Sequence, residues 1–314
     1  MATALTESTD SLSGGSRPSS VTKSLFKKFD ALPYLLIAPL MIFIIGLAII
    51  PAVYTIVESF YKVQPLNPPN AFYGFNNFKN IFANPDIRSS LTNTILYVVI
   101  GTTLSTILGI FMAITLQRKF PLRSLLIAIL ILPWALPGVV EGILWTGIFD
   151  ANSGVLNSVL TSVHAITQYQ VFLGQNHLMT IFAIELVQVW QITPLSALLI
   201  LAALQNIPEE IYEAATVDGS TGRKAFWFIT LPLVRPGIAI ALVQAIIVTL
   251  NIFDQPYILN GSASTGASLN MQTYFISFQN LDFGAGYAIS LLVTIITIGI
   301  SLGFVKLVYR RIEY

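Results

Sequence analysis

Three acidic side chains lie inside long apolar stretches of this 314-residue chain: Glu141, Glu185 and Asp254. A charge at the centre of a bilayer costs about 2.5–3.5 kcal/mol, so such groups face a cavity or a partner, or they are neutral and hydrogen-bonded. No Lys or Arg lies in the same stretches to pair with them. Their chemistry is therefore either the passage of an ion or polar solute, or a structural role in packing.

Amide and hydroxyl side chains occur in two of the same stretches. Gln188 and Gln191 flank Trp190, and the following apolar stretch carries Gln244, Thr249 and Asn251. Such groups beside an aromatic ring suit a neutral polyhydroxylated ligand, whose hydroxyls need hydrogen bonds and whose C–H faces need apolar contact. The alternative is hydrogen bonding between helices, worth about 1 kcal/mol or less for each bond.

The chain offers no recognisable set of catalytic or metal-ligating residues. It has no cysteine, and its two histidines, His164 and His177, stand apart without companion ligands. A Ser-His-Asp arrangement, a catalytic carboxylate pair and a Gly-x-x-x-x-Gly-Lys phosphate loop are all lacking in the sequence. The sequence therefore predicts neither an enzyme nor a metal site, and it predicts no cofactor bound by this chain.

Composition places these residues in a membrane protein. Hydrophobic residues make up 54% of the chain and charged residues only 10%, against about 25% charged in a typical soluble domain. Six stretches reach the length of about 20 residues that a transmembrane helix needs, and they are 34–57, 91–116, 125–148, 180–204, 237–258 and 287–308. We therefore predict an all-α membrane protein with one six-helix domain at 31–314, preceded by a disordered tail at 1–30 that is rich in Ser, Thr and Gly.

Prolines and basic residues refine this picture. Pro39 and Pro51 in the first span, and Pro133 and Pro137 in the third, are expected to kink or shorten those helices. All but three of the 16 basic residues lie in the tail, in two loops and at the C-terminal end. By the positive-inside rule, both termini and the loop 207–219 are predicted to be cytoplasmic.

This loop, 207–219, is polar and acidic, and its residues favour a short helix. Pro208 suits the first turn of a helix, and Glu209 and Glu210 stabilise the positive end of its dipole. Gly219 can adopt the left-handed conformation that ends a helix, and Ser220 or Thr221 is expected to cap a second helix. Ile211, Ala214 and Ala215 share one face, which predicts a docking element for a soluble protein, although a solvated surface helix is the alternative.

Glu213-Ala214-Ala215, Gly219 and Leu231-Pro232 resemble the EAA loop of permease subunits in ATP-driven ABC importers. The sequence around this loop, together with Trp190–Pro194 and Phe253–Leu259, is similar to the carbohydrate branch, the maltose and glycerol-phosphate type. Asn260-Gly261-Ser262-Ala263 departs from the turn that this branch has there. The resemblance implies the type I permease fold, with a cytoplasmic EAA coupling helix, in a bacterial or archaeal plasma membrane.

The resemblance also implies partners and site residues. The partners are a second homologous permease, two ATPase subunits that bind ATP and Mg²⁺, and an external solute-binding protein. Coupling to the ATPase is implied for Glu213, Ala214, Ala215, Asp218 and Gly219. Positions that match the family's substrate contacts, together with the neighbouring carboxylate, are Gln191, Ile192, Leu195, Thr249, Asn251, Ile252 and Asp254.

The sequence therefore favours the permease subunit of a sugar or polyol importer, which forms half of the translocation pathway. The same architecture serving glycerol phosphate, a polyamine or another solute is the first alternative. An ion-coupled secondary transporter that uses Glu141, Glu185 and Asp254 is a second, and a membrane enzyme is a third. The lack of cations inside the spans argues against an anionic substrate.

Overall fold

The computed structural model describes residues 32–118, 120–220, 222–261, 263 and 265–308, so the tail predicted to be disordered lies outside it. The chain is divided into two compact units between Pro51 and Ala52. The α-helices are α1 (Leu32–Ile44), α2 (Ile50–Glu58), α3 (Asn76–Ala83), α4 (Pro85–Gln117), α5 (Arg123–Ala135), α6 (Gly138–Phe149), α7 (Val155–Ser162), α8 (His177–Gln205), α9 (Glu209–Val217), α10 (Arg223–Ala225), α11 (Leu231–Leu250), α12 (Asp254–Asn260), α13 (Leu269–Tyr274) and α14 (Phe283–Val308). A short antiparallel hairpin joins β1 (Tyr61–Lys62) to β2 (Ala71–Phe72), with Tyr61 opposite Phe72.

π-Helical turns precede two helices that carry a proline in their first turn. One turn, Ile45–Ile49, leads into α2 and Pro51, and another, Phe226–Thr230, leads into α11 and Pro232. Proline lacks an N–H and its ring clashes with the carbonyl four residues earlier. In both places that carbonyl lies within the wider π turn, which accommodates the ring without ending the helix. A third π turn, Phe275–Gln279, follows α13.

The third predicted span is a bent pair of helices. α5 and α6 meet at 97° across the break at Leu136–Pro137. Leu136 has an extended backbone, with φ −75° and ψ 138°, because a following proline disfavours the helical conformation. The kink predicted for this span is therefore confirmed at Pro137, whereas Pro133 is accommodated inside α5.

Five helical segments of the described chain are long and apolar enough to cross a bilayer, and the bent pair makes a sixth if it counts as one span. The fifth predicted span differs most from the structure. Its helix ends at Leu250 rather than at residue 258, and α12 begins separately at Asp254. The backbone leaves the helix at Asn251 and at Phe253, whose φ is −140°.

The centre of the second unit is α8, which packs against α4, α5 and α11. Small residues allow these helices to approach closely. Gly109 of α4 faces Ser196 of α8, and a Cβ atom on Gly109 would lie 3.0 Å from the Ser196 Cβ. Gly237 of α11 meets Ala203 of α8. This close packing fixes the positions of the polar side chains on α8.

Candidate functional site

The loop between α8 and α11 contains the short acidic helix predicted from the sequence. α9 spans Glu209–Val217, with Pro208 and Asp218 as its end caps. Gly219 has a φ of +71°. Its N–H donates to the Thr216 carbonyl at 3.1 Å, and the Ser220 N–H donates to the Ala215 carbonyl at 2.8 Å. This pair of bonds is a Schellman motif, which ends the helix sharply and requires the left-handed conformation that glycine adopts easily.

α9 has an inner and an outer face. On the inner face Ala215 is buried, and the Tyr212 and Thr230 hydroxyls are 3.2 Å apart, which joins α9 to the π turn before α11. On the outer face Glu213, Ala214 and Asp218 are exposed. The two alanines therefore differ: Ala215 packs inward, whereas Ala214 is free to contact another surface. The sequence predicted one face shared by Ile211, Ala214 and Ala215, whereas in the structure Ile211 and Ala214 are exposed and Ala215 is buried.

The second limb of the loop corrects one expectation. Ser220 does not cap the following helix, because α10 begins at Arg223 with Gly222 as its N-cap. Gly222 has a φ of +52° and supplies no side-chain cap. The alternative cap, Thr221, lies outside the described residues. A second glycine turn thus replaces a hydroxyl cap.

A buried polar cluster forms at the bend between α5 and α6. Gln255 of α12 donates from Nε2 to Glu141 Oε2 at 3.2 Å and to Gln191 Oε1 at 3.1 Å. Glu141 is fully buried and Gln255 is 5% exposed, whereas Gln191 is half-buried. The other Glu141 oxygen has no hydrogen-bond partner within the described chain. We call Glu141, Gln191 and Gln255 the polar cluster.

The polar cluster depends on close packing of α12 against α6. Gly138 and Gly142 lie one turn apart on α6, and they face Asp254 and Ile258, one turn apart on α12. A Cβ atom on Gly142 would lie 2.7 Å from the Ile258 Cβ. This Gly-x-x-x-Gly contact places Gln255 against Glu141 and holds the Asp254 carboxylate beside the first residue of α6. The sequence contained this spacing, but Gln255 was not among the predicted site residues.

Thr249 and Glu185 lie together in a second buried group. Thr249 is fully buried, donates to the Ala245 carbonyl at 2.7 Å and lies 3.3 Å from the Thr102 hydroxyl. Glu185 is 1% exposed, and neither of its carboxylate oxygens has a hydrogen-bond partner in the described residues. Both side chains crowd Gly101 of α4, where a Cβ atom would lie 2.7 Å from a Glu185 oxygen.

The remaining predicted pathway residues are spread between the core and the surface. Ile192 and Ile252 are each 2% exposed and belong to the core. Leu195 is half-buried on α8. Asn251 is exposed, where it donates to the Ile247 carbonyl at 2.7 Å and accepts from Asn270 at 3.3 Å. Of the predicted pathway residues, Gln191 therefore lies against α12, the helix that begins at Asp254. Thr249 lies in the separate buried group with Glu185.

The segment after α6 is ordered by its own hydrogen bonds. The backbone N–H groups of Ser153 and Asn152 and the Ser153 hydroxyl donate to Asp150, and they hold the pKa of this carboxyl below its ordinary value. Asn157 is fully buried and donates to the carbonyls of Asp150 and Gln170. These bonds join the start of α7 to the irregular segment that leads to α8.

Comparison with known proteins agrees with this architecture. Residues 105–314 match the family described as the binding-protein-dependent transport system inner membrane component. The chain is 31% identical over 287 residues to the trehalose/maltose transport system permease protein MalF of Thermococcus litoralis, covering 91% of this chain and 96% of the relative. It is also 31% identical to the sulfoquinovosyl glycerol transport system permease protein SmoG of Agrobacterium fabrum, over 82% of this chain and 84% of the relative.

A solved structure shares the fold. It is a chain of a bacterial ABC transporter involved in the import of the acidic polysaccharide alginate, with a TM-score of 0.78 and 20% identity. The match covers 90% of this chain and 97% of the other. Together with the family match and the apolar helices, it establishes the predicted ABC importer permease fold. The chain belongs to the family of inner membrane components of binding-protein-dependent transport systems, and it is a multi-pass membrane permease.

Proposed function

We propose that this chain is the permease of an ATP-driven importer of a neutral sugar or polyol, and that it forms half of the translocation pathway. The relatives described above are named for the transport of trehalose and maltose and of sulfoquinovosyl glycerol, whose sulfonate is charged. They support a carbohydrate substrate, and its neutrality is argued from this chain's own residues. The observation that carries the proposal is the polar cluster, in which two amides and a carboxyl meet between membrane helices, and no basic side chain of the described residues bonds to them. Glu141 and Gln255 are buried and hold Gln191 in place, and the half-buried Gln191 offers its amide to hydroxyl groups rather than a countercharge to an anion.

The pathway is assigned on accessibility. Gln191, Leu195, Asn251 and Asp254 are exposed or half-buried, so we assign them to direct contact with the solute. Ile192, Thr249 and Ile252 are buried and form the wall behind these residues. Trp190 contributes an apolar surface beside Gln191, and its ring stands edge-on to Trp145 at 5.6 Å. Aromatic faces of this kind suit the C–H faces of a sugar.

α9 is the proposed coupling helix. Its outward side chains Glu213, Ala214 and Asp218 would enter a cleft of a cytoplasmic ATPase subunit, which supplies ATP and Mg²⁺. The Tyr212–Thr230 contact ties α9 to the residue that precedes α11. A displacement of α9 would therefore move α11. Gly219 ends α9 in a tight turn, so the connection between the two helices would be short enough to transmit that displacement.

The orientation follows from this assignment. By the positive-inside rule we assign the α9 side and both chain ends to the cytoplasm, and we assign Lys62, Lys79 and Arg88 to the outside. The second permease completes the pathway, and an external solute-binding protein delivers the cargo. The chain itself would perform no catalysis.

The test is reconstitution of the chain with its second permease, its ATPase and its binding protein in liposomes. Sugar uptake that requires ATP and every partner supports the proposal. Uptake by the chain alone, driven by a proton or sodium gradient, would instead support an ion-coupled transporter that uses the buried Glu141 and Glu185. Uptake of glycerol phosphate or a polyamine in place of sugars would keep the permease and replace its substrate.

A further inference from the structure

An exposed patch of aromatic and basic side chains lies where the loop after α9 leads into α11. Arg223, Lys224, Trp227 and Phe228 line a shallow hollow of about 500 Å³, and we call them the aromatic–basic patch. Trp227 and Phe228 are 54% and 77% exposed. Neither basic side chain forms an ion pair or a hydrogen bond with the rest of the described chain. Two unpaired cations and two exposed rings therefore share one surface.

The length of the following helix indicates where the patch lies relative to the bilayer. The apolar segment Arg223–Leu250 has 28 residues, which corresponds to about 42 Å of helix, whereas the hydrocarbon core of a bilayer is about 30 Å thick. The 20 residues of α11 already cover about 30 Å. Arg235 lies in the second turn of α11, where its long side chain can reach the headgroups. Residues 223–230 therefore extend beyond the core into the headgroup layer.

The geometry points to an anionic phospholipid as the ligand of the aromatic–basic patch. Tryptophan is enriched at the membrane interface because its ring is amphipathic. Arg223 offers a planar fork of donors for the phosphodiester, and Lys224 adds a second positive charge. Phe228 is apolar and is positioned to lie against the upper acyl chain. The four residue types thus match the charged and the apolar parts of one lipid.

Charge also separates this patch from the proposed protein contact. α9 carries Glu209, Glu210 and Glu213 and no basic residue. A partner surface that is basic enough to receive α9 would repel Arg223 and Lys224, whereas an anionic headgroup attracts them. The two limbs of the loop therefore suit two different partners, a protein for α9 and a lipid for the aromatic–basic patch.

Quenching of Trp227 fluorescence by brominated lipid tests this assignment. The full chain, with Trp134, Trp145 and Trp190 replaced by Phe, is placed in phosphatidylcholine nanodiscs in which about a tenth of the lipid is acyl-chain-brominated phosphatidylglycerol or brominated phosphatidylcholine. Each cation near the surface favours an anionic lipid about fivefold, so two favour it about 25-fold. Occupancy of the patch by brominated phosphatidylglycerol is then about 70%, against about 10% for brominated phosphatidylcholine.

Three variants test whether the quenching depends on the positive charges of Arg223 and Lys224. R223Q/K224Q is expected to reduce quenching by brominated phosphatidylglycerol to the phosphatidylcholine level, while R223K/K224R retains most of it. The matched control K79Q/R88Q removes two exposed charges from another part of the chain and is expected to leave the quenching unchanged.

Several results would overturn the assignment. They are equal quenching by the two brominated lipids in the unsubstituted patch, quenching that survives R223Q/K224Q, and displacement of the lipid by millimolar inorganic phosphate. A Trp227 that neither lipid quenches would place the patch outside the bilayer, and it would equally rule out the lipid.

Discussion

α9 and the polar cluster are both polar features of an apolar chain, but they are built differently. α9 is fixed by residues at its own ends, Pro208 and Gly219, and it presents unpaired carboxylates outward. The polar cluster joins α6, α8 and α12, and its donor Gln255 lies 114 residues from Glu141 and 64 from Gln191. Substitutions on α9 can therefore alter its contact with another protein without disturbing the core, whereas the polar cluster depends on the packing of three helices.

Gly219→Pro should cause the largest effect on the α9 side. Proline cannot adopt the φ of +71°, and it removes the N–H that donates to Thr216. We expect sugar uptake to fall more than a hundredfold while the ATPase subunits continue to hydrolyse ATP, because the strain of a few kcal/mol displaces the loop. Uptake and hydrolysis are measured in the same liposomes. Gly74→Pro, at another glycine with positive φ (+58°), is the control, and equal losses in both variants would contradict the coupling role.

Gly142→Leu should cause the next largest effect, on the polar cluster. A side chain at Gly142 collides with Ile258, and such overpacking costs about 1–3 kcal/mol. We expect a lower Tm and a fall in uptake of about tenfold or more, because α12 moves away from α6 and carries Gln255 with it. Gly147→Leu is the matched control on the same helix, since nothing lies within 4 Å of its Cβ position. A normal Tm and normal uptake in G142L would remove the packing argument.

Gln255→Ala should have a smaller effect, because it removes only the hydrogen-bond donor of the polar cluster. It leaves Glu141 buried without a partner among the described residues, a loss of about 1–3 kcal/mol. We expect the KM for uptake to rise about five- to tenfold, and Gln191→Ala to weaken transport in the same direction, with assembly intact. Gln279→Ala changes an exposed glutamine and serves as the control. Unchanged kinetics in Q255A would exclude the cluster from the pathway.

Glu213→Ala should have the smallest effect. Its carboxylate is exposed, and a single exposed ion pair is worth about 1 kcal/mol or less. We expect the affinity for the ATPase to fall about two- to fivefold, measured by co-purification at rising salt. Asp86→Ala, an exposed carboxylate near the start of α4, is expected to change nothing. If E213A reduced sugar uptake as much as G219P does, the contact of α9 with the ATPase would depend on the Glu213 charge rather than on the shape of the loop.

The sequence predicted the two regions unequally, for physical reasons. The limits of α9 followed from Pro208 and Gly219, because caps act within one turn of the residues that form them. The break at Pro137 was predictable on the same ground. The role of Gln255 was not, because its hydrogen bonds join distant parts of the chain. The sequence signals for that contact were the spacing of Gly138 and Gly142 and the place of Gln255 within the Phe253–Leu259 motif.

Which of the predicted pathway residues are buried could be determined only from the structure. Thr249 and Asn251 are two residues apart, yet Thr249 is fully buried and Asn251 is exposed. α11 ends between them, at Leu250, so a helical pattern continued to residue 258 assigns the wrong face to the residues beyond Leu250. Similarly, Ala214 and Ala215 are adjacent and identical in type, and only the packing of α9 distinguishes them.

The proposed contact between α9 and an ATPase can be tested by cross-linking. The chain has no cysteine, so A214C carries the only attachment point for a photoactivatable maleimide, and K79C is the control on another exposed position. We expect A214C to capture the ATPase subunit in native membranes and K79C not to capture it. Membranes in which A214C supports ATP-driven uptake but captures no ATPase would contradict the proposed contact.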